Sequence, residues 1–128
     1  MCDHFATAYF AVDTTRDTSE ADARQRAAHR YGTPRLSGEL AGGQGRSLDF
    51  PTWAAHHATI GTQLRPYAGD VLPADQPTLA YRATVVTRQA LGADGWHQDL
   101  APAAVFCTLV PATAGGWLVD HVDLSLGG

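Results

Sequence analysis

AAVFCTLVPATAGGWLVDHVDL, residues 103 to 124, decides how this chain folds. Two apolar runs, AAVFCTLVPA and WLVDHVDL, flank TAGG, a short loop with the glycines that tight reversals favour. They predict two neighbouring antiparallel strands joined as a hairpin. Side chains on a strand alternate between faces, so the second run can be read in two ways. One face takes Leu118, Asp120, Val122 and Leu124, with Leu126 beyond. The other takes Trp117, Val119, His121 and Asp123. The count of large apolar side chains puts the first set on the core and carries Asp120 inward with it.

Upstream of this hairpin the period stays at two. In TLAYRATVVTRQAL, residues 78 to 91, Leu79, Tyr81, Ala83 and Val85 oppose Ala80, Arg82, Thr84 and Val86. The turn signal Ala93-Asp94-Gly95 ends that strand and leads into WHQDL. Earlier still, Ala54, His56, Ala58, Ile60, Thr62 and Leu64 alternate with Trp53, Ala55, His57, Thr59 and Gly61, which predicts a first strand opening at Trp53. A polar connection from Pro66 to Pro77 separates it from the second.

The first third reads as helix. Phe5, Ala8, Tyr9 and Val12 share one face at i, i+3, i+4 and i+7. Ser19 followed by Asp22 resembles a capping box and opens a second helix that runs to Gly32. Thr33 and Pro34 supply the N-cap and first turn of a third, stopped by Gly42 and Gly43. Three N-terminal helices ahead of a four-stranded antiparallel sheet make an α+β fold, and 128 residues that are 45% hydrophobic suffice for one domain spanning residues 1–128.

Composition narrows the function. The net charge of −4 and pI near 5.8 give no cationic footprint for nucleic acid or anionic lipid. All nine basic residues are arginine and there is no lysine or asparagine, a bias of GC-rich coding that carries no functional reading. No run approaches the roughly 18 apolar residues of a membrane span. The opening residues lack the cationic start and uniform apolar centre of a signal peptide.

Motifs narrow it further. Cys2 and Cys107 are the only cysteines; their pairing is not readable, and Cys107, inside an apolar run, is expected as a buried free thiol. His56 and His57 are adjacent, so on a strand they point to opposite faces and form no metal pair, and Cys2 with His4 lacks a second pair of ligands. GELAGGQGR has no Gly-Lys-Ser/Thr and follows a helix, which makes it a helix end and connection, not a phosphate loop. No nucleophile elbow, zinc-protease or dinucleotide motif is present. No cofactor and no metal are implied.

Taken together, the helices, the segment RYGTPRLSGELAG, Trp53 at the expected first strand, Arg82 inside a long second strand and the closing GGWLVDHVDL resemble the NTF2-like (cystatin-like cone) superfamily. More narrowly, they look like small domains of GC-rich bacteria related to the TcpC/VirB8-like conjugation proteins and the Mce-associated proteins. That resemblance implies helices packed on a curved sheet, and a non-catalytic assembly or interaction domain of a conjugation-type or envelope-associated system. It implies protein partners or self-association and an extracytoplasmic place behind a membrane anchor, with the cytoplasm as the alternative. The outer sheet face, with Trp53, His57 and Thr59, is the expected interface.

The same superfamily contains pocket enzymes of the SnoaL and ketosteroid isomerase kind, in which an Asp or His inside the cone moves a proton. Here Tyr9, His56, Asp120 and His121 are the residues that could serve, and a small molecule would then be the ligand. A carboxylate in an apolar pocket has a raised pKa and can work near neutrality, but it needs a partner such as Arg82 or Tyr9. The plainer reading of Asp120 is a carboxylate at the rim, solvated or salt-bridged. The interior of the sheet separates the two readings: filled for the interaction domain, open with converging polar groups for the enzyme.

Overall fold

A computed structural model describes residues 1–42 and 46–126. The chain forms four helices and then four strands: α1 (Cys2–Phe10), α2 (Glu20–Tyr31), α3 (Pro34–Ala41), α4 (Phe50–Ala55), β1 (Thr59–Pro66), β2 (Ala80–Leu91), β3 (His97–Pro111) and β4 (Trp117–Leu126). The strands make one antiparallel sheet in the order β1-β2-β3-β4, so the fold is α+β.

The local signals that set the helices are specific. Thr33 Oγ1 accepts a hydrogen bond from the Leu36 amide at 3.2 Å and Pro34 occupies the first turn, which fixes the start of α3. Gly42 ends it; Gly43 lies outside the described residues. At α2 the expected capping box is displaced. Ser19 is the N-cap but its side chain makes no capping bond, and Asp22 instead accepts from the amide and hydroxyl of Thr18 at 2.7 and 2.9 Å.

The expected first strand is corrected at its beginning. Where three helices were predicted there are four, because Phe50–Ala55 coils into the one-and-a-half turns of α4. Phe50 and Trp53 are three apart and bury the same face, at 2% and 4% exposure. His57 then takes φ 51°, a left-handed conformation rare outside glycine, and turns the chain into β1 at Thr59. Trp53, His56 and His57 therefore are not strand residues.

Two bulges rework the sheet's alternation. Between the pairs Val86↔Ala103 and Arg88↔Leu100, β3 spends one residue more than β2, in the segment holding Pro102, which has no amide hydrogen to donate to a ladder. Between Thr108↔His121 and Leu109↔Val119, β4 spends one more than β3, and the extra residue is Asp120. Trp117 and Val119 thus face the helices before the bulge, and Val122, Leu124 and Leu126 share that face after it. Both readings of the parity are half right. Asp120 belongs to neither set.

The helices bury one face of the sheet. Phe5, Tyr9 and Phe10 of α1, with Leu36 of α3, close on Val86, Val105, Leu109 and Val119. A second cluster joins Phe50 and Trp53 to Val12, Ile60 and Ala90, and Trp53 Nε1 donates to Gln98 Oε1 at 3.0 Å. Side chains of the size of Phe5 and Phe50 contribute about 1.5–3 kcal/mol each on burial. Cys2 and Cys107 are bonded as a disulfide with their Cα atoms 5.8 Å apart, so Cys107 is not the free thiol expected from its surroundings. The bond ties the first turn of α1 to the middle of β3.

Non-strand chain covers the two sheet edges at opposite ends, β4 beside Leu109 and Ala80 and β1 beside Ala90 and Gln98. The Thr33 amide donates to the Val119 carbonyl at 2.9 Å on the β4 side, and on the β1 side the Ile60 amide donates to Val12 and the Thr14 amide to Ala58. Gly32 permits the first of these: a Cβ there would lie 2.8 Å from the Ala28 carbonyl oxygen and 3.2 Å from that of Val119. No helix among the described residues is long and apolar enough to cross a membrane.

Candidate functional site

The four residues nominated for proton transfer go to three places. Tyr9 is in the first core cluster, its phenol raised above its ordinary pKa by burial, an effect partly offset by Arg24 and Arg88. His56 lies after α4 against the β2–β3 turn, its ring stacked on Trp96 at 4.3 Å and its Nδ1 2.8 Å from Asp94 Oδ2. The bond to His56 and the Trp96 amide hold the Asp94 carboxyl below its usual pKa.

Asp120 and His121 are on β4 but bind α3. Asp120 accepts from Thr33 Oγ1 at 2.8 Å and from Arg35 at 2.9 Å, so its partners are these and neither Arg82 nor Tyr9. Arg35 also pairs with Glu39, and Glu39 reaches His121 Nδ1 at 3.3 Å, while His121 Nε2 meets Asp123 at 3.2 Å. This chain of contacts fastens the short α3 along the bulged edge of the sheet. It accounts for the charged residues of WLVDHVDL without any chemistry. Arg82 is engaged elsewhere, in a paired contact with Asp75 at 2.7 and 2.9 Å that ties down the β1–β2 connection.

Two features remain that alternation alone did not single out. The sheet face away from the helices carries Tyr81, Val85, Phe106, Val110 and Leu118, all half-buried. Among the described residues no helix covers them; Tyr67 packs its ring edge-on against Phe106 at 5.1 Å. At the β1 end of this face, a groove of about 450 Å³ opens where Gly61 has no side chain, lined by Gln63, Thr87, Gln89 and Asp99. Thr59 is exposed at this end and His57 just before it, whereas Trp53 is on the buried face of α4 and forms no part of an exposed face.

The second feature is a small cleft of about 50 Å³ on the helix side, where Tyr9, Arg24 and Arg88 come together with Glu20, Phe10 and Trp53. Its signal in the sequence was Arg88 itself, which sits on the alternating set that holds Val86 and Ala90. Among the described residues no group of three or more His, Cys, Asp or Glu side chains could hold a metal ion. Comparison of the chain with protein-family models, with curated proteins and with solved structures gives no match.

Proposed function

We propose that the chain is a non-catalytic interaction domain with an NTF2-like architecture, which docks a protein partner on the bare face of its sheet. The observation that carries this reading is that face: five half-buried apolar and aromatic side chains on three adjacent strands, with no helix over them among the described residues. Contiguous apolar surface of this kind marks protein contact more often than it survives unused on a soluble domain. The filled helix side supports it too, since Phe5, Phe10, Leu36 and Val105 occupy the space in which a cone enzyme would hold its substrate. Tyr9, His56 and Asp120 have separate partners and do not converge on one reacting atom.

The NTF2-like reading draws support from the helices preceding a bulged antiparallel meander, because bulges increase the twist and bend that a cone requires. An extracytoplasmic place is favoured by the Cys2–Cys107 disulfide, a bond that persists in oxidising compartments. The link to a conjugation-type or envelope-associated assembly rests on the sequence resemblance.

Site-specific photo-crosslinking in cells that make the protein tests the docking face. A photoreactive residue at Val85 should trap one discrete protein adduct that Phe106→Glu abolishes, and the same residue at Leu48, fully exposed and away from the sheet, should not. Identical adduct patterns at Val85 and Leu48, or none at Val85, would overturn the reading.

A further inference from the structure

The groove at the β1 end of the bare sheet face is richer in acceptors than in donors. Gly61 has no side chain, and the space this leaves is bordered by Gln63, Thr87, Gln89 and Asp99. Thr87 spends its hydroxyl hydrogen on the Gln63 main-chain carbonyl at 3.3 Å, so what its oxygen still offers is acceptor capacity. Gln89 spends an amide hydrogen on Asp99 Oδ1 at 2.9 Å, and its own carbonyl oxygen stays unused. Of these four side chains, Gln63 and Gln89 alone retain hydrogens to give, while all four retain lone pairs and Asp99 adds a full negative charge. Among the described residues no cation pairs with Asp99. Arg88 borders the groove too, but its guanidinium lies across the sheet, over the Phe10 ring at 4.9 Å and bonded to the Ala101 carbonyl at 2.7 Å.

A ligand that completes this set brings several N–H groups and one positive charge. An ammonium offers its hydrogens around a point, whereas a guanidinium spreads five of them in a plane and arrives on a stem that packs on apolar surface. That surface is present, because Leu91, Leu100 and Pro102 border the same groove. An anion would meet Asp99 with like charge, and an apolar side chain would displace water from the amides and the carboxylate without replacing its bonds. Position supplies the source. Thr87 and Gln89 follow Val85 along β2, and Asp99 is the register partner of Gln89, so the groove continues the docking face. At about 3.3 Å per residue, Asp99 is about 13 Å along the strands from the level of Val85.

We propose that the Gly61 groove takes an arginine side chain of the polypeptide docked on the bare face, with Asp99 as its counter-ion. The inference rests on the docking reading and adds what the partner carries. That is an arginine about four residues from the apolar side chain over Val85 if the docked segment is extended, or about nine if it is a helix.

Two experiments separate this inference from the reading beneath it. In the first, the folded, oxidised chain is titrated at constant ionic strength with N-acetyl-arginine amide, whose one charge is the guanidinium, and with the citrulline analogue, in which a neutral urea replaces it. The side-chain amide signals of Gln63 and Gln89 are followed by NMR. The arginine compound should shift both and saturate at roughly millimolar concentration, and the citrulline compound should bind at least about five-fold more weakly. Asp99→Asn and Gly61→Val should each bring the arginine compound down to the citrulline level, the first by removing the charge and the second by filling the space. A Cβ at Gly61 meets Leu91 Cδ1 at 3.2 Å, and that flexible side chain can give way. Asp70→Asn, on the β1–β2 connection, should change nothing. Equal binding of the two compounds by the wild-type chain, no saturating shift, or full binding by folded Asp99→Asn would each overturn the proposal. In the second experiment, the chain with a photoreactive residue at Val85 also carries Asp99→Arg, and the adduct formed in cells should fall at least about five-fold. An adduct that Asp99→Arg leaves unchanged would sink the arginine groove and let the docking face stand. No adduct at Val85 in the otherwise wild-type chain would overturn the docking face and this source of the arginine together, and binding seen by NMR would then belong to a free guanidinium compound.

Discussion

Reducing the Cys2–Cys107 bond should cost this chain a large share of its stability. The bonded residues are 105 apart, and the loss of loop entropy in a denatured chain closed over about 100 residues is worth about 4.7 kcal/mol. Two features adjust that figure. The first residues of α1 carry Phe5, Ala6, Tyr9 and Phe10 into the core, so the helix stays docked when its tether is cut. The sulfur atoms are themselves buried, at 3% and 2% exposure for the two residues, so replacing both by alanine adds a packing loss of about 1 kcal/mol. Reduction alone is therefore expected to remove about 3–5 kcal/mol, and Cys2→Ala with Cys107→Ala slightly more. Urea unfolding with and without a phosphine reductant measures it. The denaturant slope should rise on reduction, since the uncrosslinked denatured chain exposes more surface, and the melting temperature should fall by about 10–20 °C. A loss below about 1 kcal/mol with an unchanged slope would refute the claim that this bond constrains the denatured chain.

Three further outcomes are expected. Asp17, with its side chain 1% exposed, accepts from Arg26 through both oxygens and from the Asp13 amide at 2.9 Å. Burial alone would raise its pKa, but these bonds outweigh burial and hold it below the ordinary 3.8. Because the folded value is the lower one, the stabilisation is complete above about pH 4 and fades as pH falls through the folded value. Asp17→Asn should thus lose about 1.5–3 kcal/mol at pH 7, and the gap to wild type should narrow toward pH 2; a gap independent of pH in chemical denaturation would contradict this. Gly32→Ala places a Cβ 2.8 Å from the Ala28 carbonyl and should cost about 1–3 kcal/mol, with faster hydrogen exchange at the Thr33 amide than elsewhere in the sheet. His57→Gly relieves a left-handed backbone at φ 51° and should match wild type or exceed it by up to about 1 kcal/mol in a thermal melt, while His57→Val loses more than about 1 kcal/mol; equal effects would contradict the strain.

The parts of this fold written in local sequence could be read from it. Thr33 and Pro34 marked α3 because a cap and a fixed φ act within one turn. Gly115 and Gly116, with φ of 93° and 76°, marked the β3–β4 hairpin because few other residues accept that conformation. What failed needed the partner element. A helix of the length of α4 shows fewer than two turns of period, so PTWAAHHATI reads equally well as alternation. The bulge at Asp120 exists only by comparison with β3, and counting along β4 alone forces one parity on a strand that uses two. Disulfide pairing across 105 residues is likewise invisible until α1 lies on β3. As for the sites, Asp120, His56 and Tyr9 were recognised as polar groups worth explaining, but their partners Arg35, Asp94 and Arg24 come from elsewhere in the chain.

The cover on the two sheet edges sets where a further strand can join. The two covers lie at opposite ends of the sheet, Thr33 on the Val119 carbonyl at one and Val12 on the Ile60 amide at the other, so an incoming chain meets hydrogen-bonding groups already in use there. β1 finishes on Pro66, which offers no donor at all. Open backbone on β4 is left only past the bulge, from Val122 to Leu126, where Leu124 and Leu126 stand exposed. Fibrillar growth through stacked copies needs a long free run on both edges, and among the described residues each edge keeps a short one, Thr62 to Arg65 on β1 and Val122 to Leu126 on β4. A visiting strand gains only a few rungs on either edge before it meets covered backbone or Pro66 on β1 and the bulge on β4, which resists runaway polymerisation even where the protein is crowded.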